Sequence, residues 1–199
     1  MVEIQGVNYY STHAEQYHQT TFSVDPTSFL TPLAARLTPH AEVLDIGCGS
    51  GRDLNWLKQK GFRVIGLERS PGLAQRAREM VGCRILEEDF ELFDFSSISV
   101  DVIVIVGGLV HVPQPKVPDL LHRFLAALRP NGLLLLTTKE GTGSSSDSKG
   151  REFFLWQDAE LRAVFDQLGL ELLDCFRNLS RLDTQEVWLG YVLRKPERP

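Results

Sequence analysis

The chain reads as a doubly wound α/β sheet, and three observations predict it. Short β-rich runs alternate with amphipathic helical stretches from Val43 to Thr138. Val100–Val106 is a β-branched run broken only by Asp101, as expected of a strand buried on both faces of a parallel sheet. Val43–Ile46 leads directly into Gly47-Cys48-Gly49-Ser50-Gly51, with glycine at every second position and a helix behind it. Right-handed crossovers would then gather the carboxyl ends of the strands, and a ligand crevice, along one edge.

The elements follow in order. Residues 1–40 are expected to form a helical cover. Tyr10, Ala14 and Tyr17 share one helical face, and Phe29, Leu30, Leu33, Ala34 and Leu37 supply an apolar stripe. Asp25-Pro26 and Thr31-Pro32 are cap-then-N1 pairs; Pro32 either starts or kinks its helix, and Pro39 ends it. Residues 41–140 form the core: strand Val43–Ile46, a helix from Gly51 to Gly61, and strand Arg63–Leu67. Ser70-Pro71 then opens a helix that stops at Gly82. Strand Arg84–Glu87 and strand Val100–Val106 precede a helix over Val117–Leu128. Pro130-Asn131-Gly132 turns the chain into strand Leu133–Thr138. Residues 141–150 are rich in Gly and Ser and are expected to be a mobile loop. Residues 151–199 supply a helix ending at Gly169 and two strands, Glu171–Arg177 and Glu186–Leu193, which lack a crossover helix and so should pair antiparallel.

At 199 residues, 43% hydrophobic and 24% charged, the chain suits one globular domain. Its 21 basic and 26 acidic residues leave a net charge of −5 with no basic cluster, which argues against a nucleic-acid partner. Cys48, Cys83 and Cys175 form no C-x-x-C pair and the five histidines show no ligand spacing, so no metal site is expected. Unpaired thiols, no signal-like N-terminus and no long apolar run point to a cytoplasmic protein without a membrane partner.

Charge identifies the cofactor class. The dinucleotide fingerprint is G-x-G-x-x-G, whereas here the spacing is G-x-G-x-G, with Asp45 two residues ahead. A carboxylate there opposes a pyrophosphate but suits the sulfonium and ammonium of S-adenosylmethionine. Glu68, nineteen positions after Gly49 and ending its strand, is placed to accept ribose hydroxyls. Asp89-Phe90 offers a carboxylate to an adenine amino group and an apolar wall to its ring.

These residues resemble a class I S-adenosylmethionine-dependent methyltransferase of the small single-domain bacterial type, over nearly the whole chain. Asp45–Gly51 is similar to the family's glycine-rich loop, Glu68 to its ribose acid and Asp89-Phe90 to its adenine turn. Val100–Gly108 is similar to its fourth-strand motif and Leu128–Leu133 to its turn into strand 5. Residues 141–161 resemble one subgroup with a glycine-rich loop there. The resemblance implies a seven-stranded Rossmann-like sheet in the order 3-2-1-4-5-7-6, with strand 7 antiparallel and helices on both faces. It implies a cofactor site of Tyr17, Asp45, Gly47, Cys48, Gly49, Arg52, Glu68, Arg69, Asp89, Phe90 and Gly107. Gly107-Gly108 stands where the family often has a polar side chain, leaving backbone carbonyls to hold the methionine ammonium.

Methyl transfer needs positioning and water exclusion, and a base only for a protonated acceptor. His111, after the fourth strand and with a near-neutral ordinary pKa, is the candidate catalytic residue. Arg52 is a candidate partner for the methionine carboxylate or an anionic substrate. Tyr10, His111, Arg151 and Phe153 are candidate substrate contacts, and Cys48 a buried filler. The expected function is methyl transfer to a small molecule. The alternatives are a non-catalytic S-adenosylmethionine-binding regulator and, less favoured by the loop spacing, a nicotinamide oxidoreductase.

Overall fold

The computed structural model describes residues 5–182 and 185–197. Helices α1 (Gln5–Thr12), α2 (Ala14–Thr21) and α3 (Thr27–Ala34) precede strand β1 (Glu42–Ile46). Helix α4 (Arg52–Gln59), β2 (Arg63–Leu67), α5 (Pro71–Val81), β3 (Arg84–Leu86) and β4 (Val100–Val106) follow. Then come α6 (Val117–Phe124), β5 (Leu128–Lys139), β6 (Ser144–Ser146) and β7 (Glu152–Phe154). The chain closes with α7 (Asp158–Gln167), β8 (Glu171–Leu179) and β9 (Val187–Arg194).

Seven strands make one sheet in the order β3-β2-β1-β4-β5-β9-β8. Strands β1 to β5 run parallel, and β9 is antiparallel to both β5 and β8. Setting aside the separate β6–β7 hairpin, this is the expected 3-2-1-4-5-7-6 sheet. Strand alternation splits the core. Leu44, Ile46, Ile103 and Ile105 face α6 and α7, where Leu121, Phe124 and Phe165 are fully buried. Val43, Val102 and Val104 face the other way, onto Leu30 and Leu33 of α3, Leu54 and Leu57 of α4, and Ala74 and Ala77 of α5. Both sheet faces are thereby covered, which is why β4 carries apolar residues on each side.

Several expectations change. Tyr10 and Tyr17 sit on two helices, because the chain breaks at His13 (φ −122°, ψ 27°), yet their rings still meet edge to face at 5.1 Å. Pro26 takes the N-cap position of α3 while Asp25 accepts the Thr27 N–H at 2.9 Å; Pro32 lies inside the helix, which ends at Ala34, before Pro39. Helix α6 is shorter than expected and strand pairing begins at Leu128. Arg129–Gly132 bulges out between the pairs Val100–Leu128 and Val102–Leu133, with Asn131 at φ 61°.

Part of the Gly/Ser stretch forms a hairpin strand: β6 pairs antiparallel with β7. Its turn is built by Asp147, whose carboxylate accepts the N–H groups of Lys149 and Arg151 and the Arg151 guanidinium. The chain re-enters the domain at Trp156, whose N–H donates to the Lys139 carbonyl at 3.0 Å.

Candidate functional site

A cavity of about 690 Å³ opens at the carboxyl edge of the parallel strands. The turn after β1 forms its floor. Gly47 and Gly49 have φ of 71° and 56°, which disfavour any side chain, and a Cβ on Gly49 would stand 3.5 Å from the Tyr17 ring. Gly51 matters for packing instead, because a Cβ there would lie 2.7 Å from Val81 of α5.

Glu68, at the end of β2, lines the cavity and is nonetheless 8% exposed. It accepts the Gly49 N–H at 2.9 Å and the Ser70 N–H at 2.8 Å, so it locks the glycine turn to the start of α5. Burial raises its pKa despite these bonds. Of the other sequence-derived cofactor residues, Tyr17, Gly47, Gly49, Arg69, Phe90 and Gly107 also line the cavity.

Four do not. Asp45 is buried behind the turn, and its Oδ2 lacks a hydrogen-bond partner among the described residues. Burial and the neighbouring Asp53 push its pKa well up. Arg52 is folded onto Asp53 in a two-point pair at 2.7 and 2.9 Å. Cys48 turns toward Gly66, which has room for the sulfur only because it has no Cβ, and burial pushes the thiol up. Asp89 pairs with Arg69 at 3.2 Å and caps the Glu91 N–H at 2.8 Å.

Above the glycine turn lies a polar chain that joins three separate segments. Glu152 of β7 offers its carbonyl to His111 Nδ1 at 2.6 Å, and His111 Nε2 meets the Tyr10 hydroxyl at 2.7 Å. The Arg151 guanidinium reaches the same hydroxyl at 3.4 Å and lies 4.8 Å from the centre of the Tyr9 ring. The expectation of a near-neutral His111 is corrected. Burial lowers its pKa to about 4, and the cations Arg151, Arg69 and Lys139 act in the same direction. Burial also raises the Tyr10 and Tyr17 phenols.

Tyr10 and His111 line the cavity, whereas Arg151 and Phe153 do not. Phe153 points away because β7 alternates: Glu152 and Phe154 take the cavity side, and Phe153 packs 4.8 Å from the His111 ring. Lys139, 6% exposed at the end of β5, lies 3.5 Å from the Phe153 ring centre and pairs with Glu186 at 2.5 Å. Sequence reasoning missed Glu152, Ser146, Glu88 and Glu91 on the wall. For Glu152, the period-two pattern of a short strand was a signal hidden by the preceding Gly/Ser run. Among the described residues no cluster of three His, Cys, Asp or Glu could hold a metal, and no helix is long and apolar enough to cross a membrane.

Known proteins resemble this chain in sequence and in fold. The 2-methyl-6-phytyl-1,4-hydroquinone methyltransferase of Synechocystis sp. is 29% identical over 136 residues, 66% of this chain and 41% of that protein. Carboxy-S-adenosyl-L-methionine synthase of Aliivibrio fischeri is 31% identical over 115 residues, 51% of this chain and 46% of that protein. The chain thus spans less than half the length of these curated relatives. The crystal structure of Burkholderia thailandensis 1,6-didemethyltoxoflavin-N1-methyltransferase, with 1,6-didemethyltoxoflavin and S-adenosylhomocysteine bound, superposes with a TM-score of 0.75 at 22% identity. That match covers 96% of this chain and 85% of that one. A family model described as a methyltransferase domain matches residues 16–174, most of the sheet and its helices, and the chain belongs to that family.

Proposed function

We propose that the chain binds S-adenosylmethionine in this cavity and transfers its methyl group to a small-molecule acceptor. The observation that carries this reading is electrostatic. The glycine turn is backed by Asp45 and Asp53 and flanked by Glu68, while the nearby Arg52 is already committed to Asp53. A pyrophosphate placed there would meet carboxylates. A cofactor bearing a sulfonium and an ammonium would be attracted.

Each wall residue then has a role. Glu68 keeps free lone pairs beside its two backbone bonds, enough to accept ribose hydroxyls. Phe90 supplies a face for an adenine ring. Tyr17, held against Tyr10, covers the glycine turn and excludes water. Carbonyls of Gly107-Gly108 offer acceptors to the methionine ammonium. The bound cofactor supplies a carbon already activated for displacement, so the protein's task is alignment and desolvation. The names of the relatives support this reading: one is a methyltransferase, and the Burkholderia protein was crystallised with the demethylated cofactor. The acceptor is a small molecule rather than a nucleic acid, consistent with the acidic balance, and three unpaired thiols favour the cytoplasm.

The test is turnover. Incubation with S-adenosylmethionine and a metabolite library should yield S-adenosylhomocysteine with at least one acceptor, and Gly49→Val should abolish it. Cofactor binding without product from any acceptor would favour a non-catalytic binding protein.

A further inference from the structure

The chain of contacts through Tyr10 has a fixed polarity. A backbone carbonyl can only accept, so the 2.6 Å contact with Glu152 places a proton on His111 Nδ1. Nε2 of the neutral ring is then a bare lone pair, and the Tyr10 hydroxyl must donate to it at 2.7 Å. The phenol's own proton is therefore engaged by His111, and what Tyr10 has left for the cavity it lines is oxygen lone pairs. Arg151 approaches that oxygen only at 3.4 Å, which leaves a lone pair for another donor.

We propose that Tyr10 is a specificity-determining and proton-accepting residue. It takes the O–H of the acceptor and relays the proton to His111, so the site selects a hydroxyl acceptor. This rests on the methyl-transfer reading. As the acceptor atom bonds to the methyl carbon, the carbon–sulfur bond breaks and its electron pair stays on sulfur. The acceptor's proton passes to Tyr10 Oη while the Tyr10 proton passes to His111 Nε2. The products are the methylated acceptor, a neutral phenol and an imidazolium, so the positive charge lost from sulfur reappears on the ring.

The surroundings fit this sequence of charges. Burial keeps the ring neutral beforehand, with a pKa of about 4, so Nε2 carries a free lone pair at neutral pH; a base this weak takes its proton from the strongly acidic oxonium that forms as a hydroxyl is methylated. The groups bearing on the ring are Tyr10 from α1, Glu152 and Phe153 from β7, Arg151 ahead of them, Arg69 after β2 and Lys139 at the end of β5. The three cations oppose a standing imidazolium and so return the proton to solvent after reaction. His111 acts through Tyr10 and is the positioning residue.

Nitrogen-15 NMR of the ring-labelled, ligand-free protein tests the polarity directly. At pH 7 the His111 ring should be neutral with Nδ1 protonated and Nε2 bare. Tyr10→Phe should keep that tautomer and shift only Nε2, as it loses its donor. A ring protonated on Nε2, or an imidazolium at pH 7, overturns the proposal. With an acceptor from the metabolite screen, Tyr10→Phe should lower kcat roughly 10²–10⁴-fold while S-adenosylhomocysteine binds as in the parent. Retained kcat in that variant also overturns it. Absence of S-adenosylhomocysteine binding in the parent would instead strike the methyl-transfer reading, and the tautomer measurement stands apart from that outcome.

Discussion

Single residues carry the strongest constraints at this site. Gly49 needs a left-handed backbone and lies under Tyr17. Gly49→Val should fold with a loss of about 1–2 kcal/mol from the unfavourable φ, yet lose S-adenosylhomocysteine affinity at least tenfold by calorimetry. Asp45 makes an opposite prediction for stability and function. Its folded pKa is raised, so the stability it contributes is present below its unfolded pKa and is lost as pH rises through the folded value. Asp45→Asn should therefore raise the melting temperature at pH 7, with the gain vanishing in acid, and should weaken cofactor binding. His111 is the reverse case. Its lowered pKa gives stability that is full above about 6.5 and is lost toward pH 4, so thermal melts of His111→Gln should show a shallower fall over that window. Glu68 and the glycines were legible from spacing alone. The inward burial of Asp45 and the neutral state of His111 were not, because both depend on neighbours distant in sequence.

At the level of elements, the β6–β7 hairpin decides how the site is closed. It supplies Glu152 and Phe154 to the cavity wall and brings Arg151 onto Tyr9 and Tyr10 of α1. One residue, Asp147, holds its turn through two backbone bonds and the Arg151 guanidinium. Asp147→Ala should raise the acceptor KM and speed amide exchange across 144–154, while the melting temperature moves little because the hairpin stands outside the main sheet. Composition hid this element: Gly and Ser bury no apolar surface, so the hairpin is held by the Asx-type turn and by Phe153 of its partner strand, packed against His111 and Lys139. Helix ends were read better where a glycine or proline enforced them. Gly82 ends α5 at φ 62°, and Pro71 opens it at N1. The break at His13 has no such marker, and a continuous helical face across 10–17 was the natural reading.

The whole molecule follows from its hydrophobic pattern. Alternating strands and helices, with β4 apolar on both sides, required two covered faces, and both are present. Leu121, fully buried between α6 and the sheet, tests that core: Leu121→Ala should cost about 2–5 kcal/mol in denaturant unfolding. The fold places every strand end of the parallel half on one edge, so the glycine turn, Glu68, Phe90 and Gly107 meet without any single segment containing them all. The central claim is that this edge holds a sulfonium nucleoside, and thermal unfolding with and without ligand tests it most directly. S-adenosylhomocysteine at 100 times its Kd should stabilise the protein by about 2.7 kcal/mol, a rise of roughly 2–4 °C per kcal/mol at this size, and NADH should have no effect. Stabilisation by NADH with none from S-adenosylmethionine or S-adenosylhomocysteine would contradict the account.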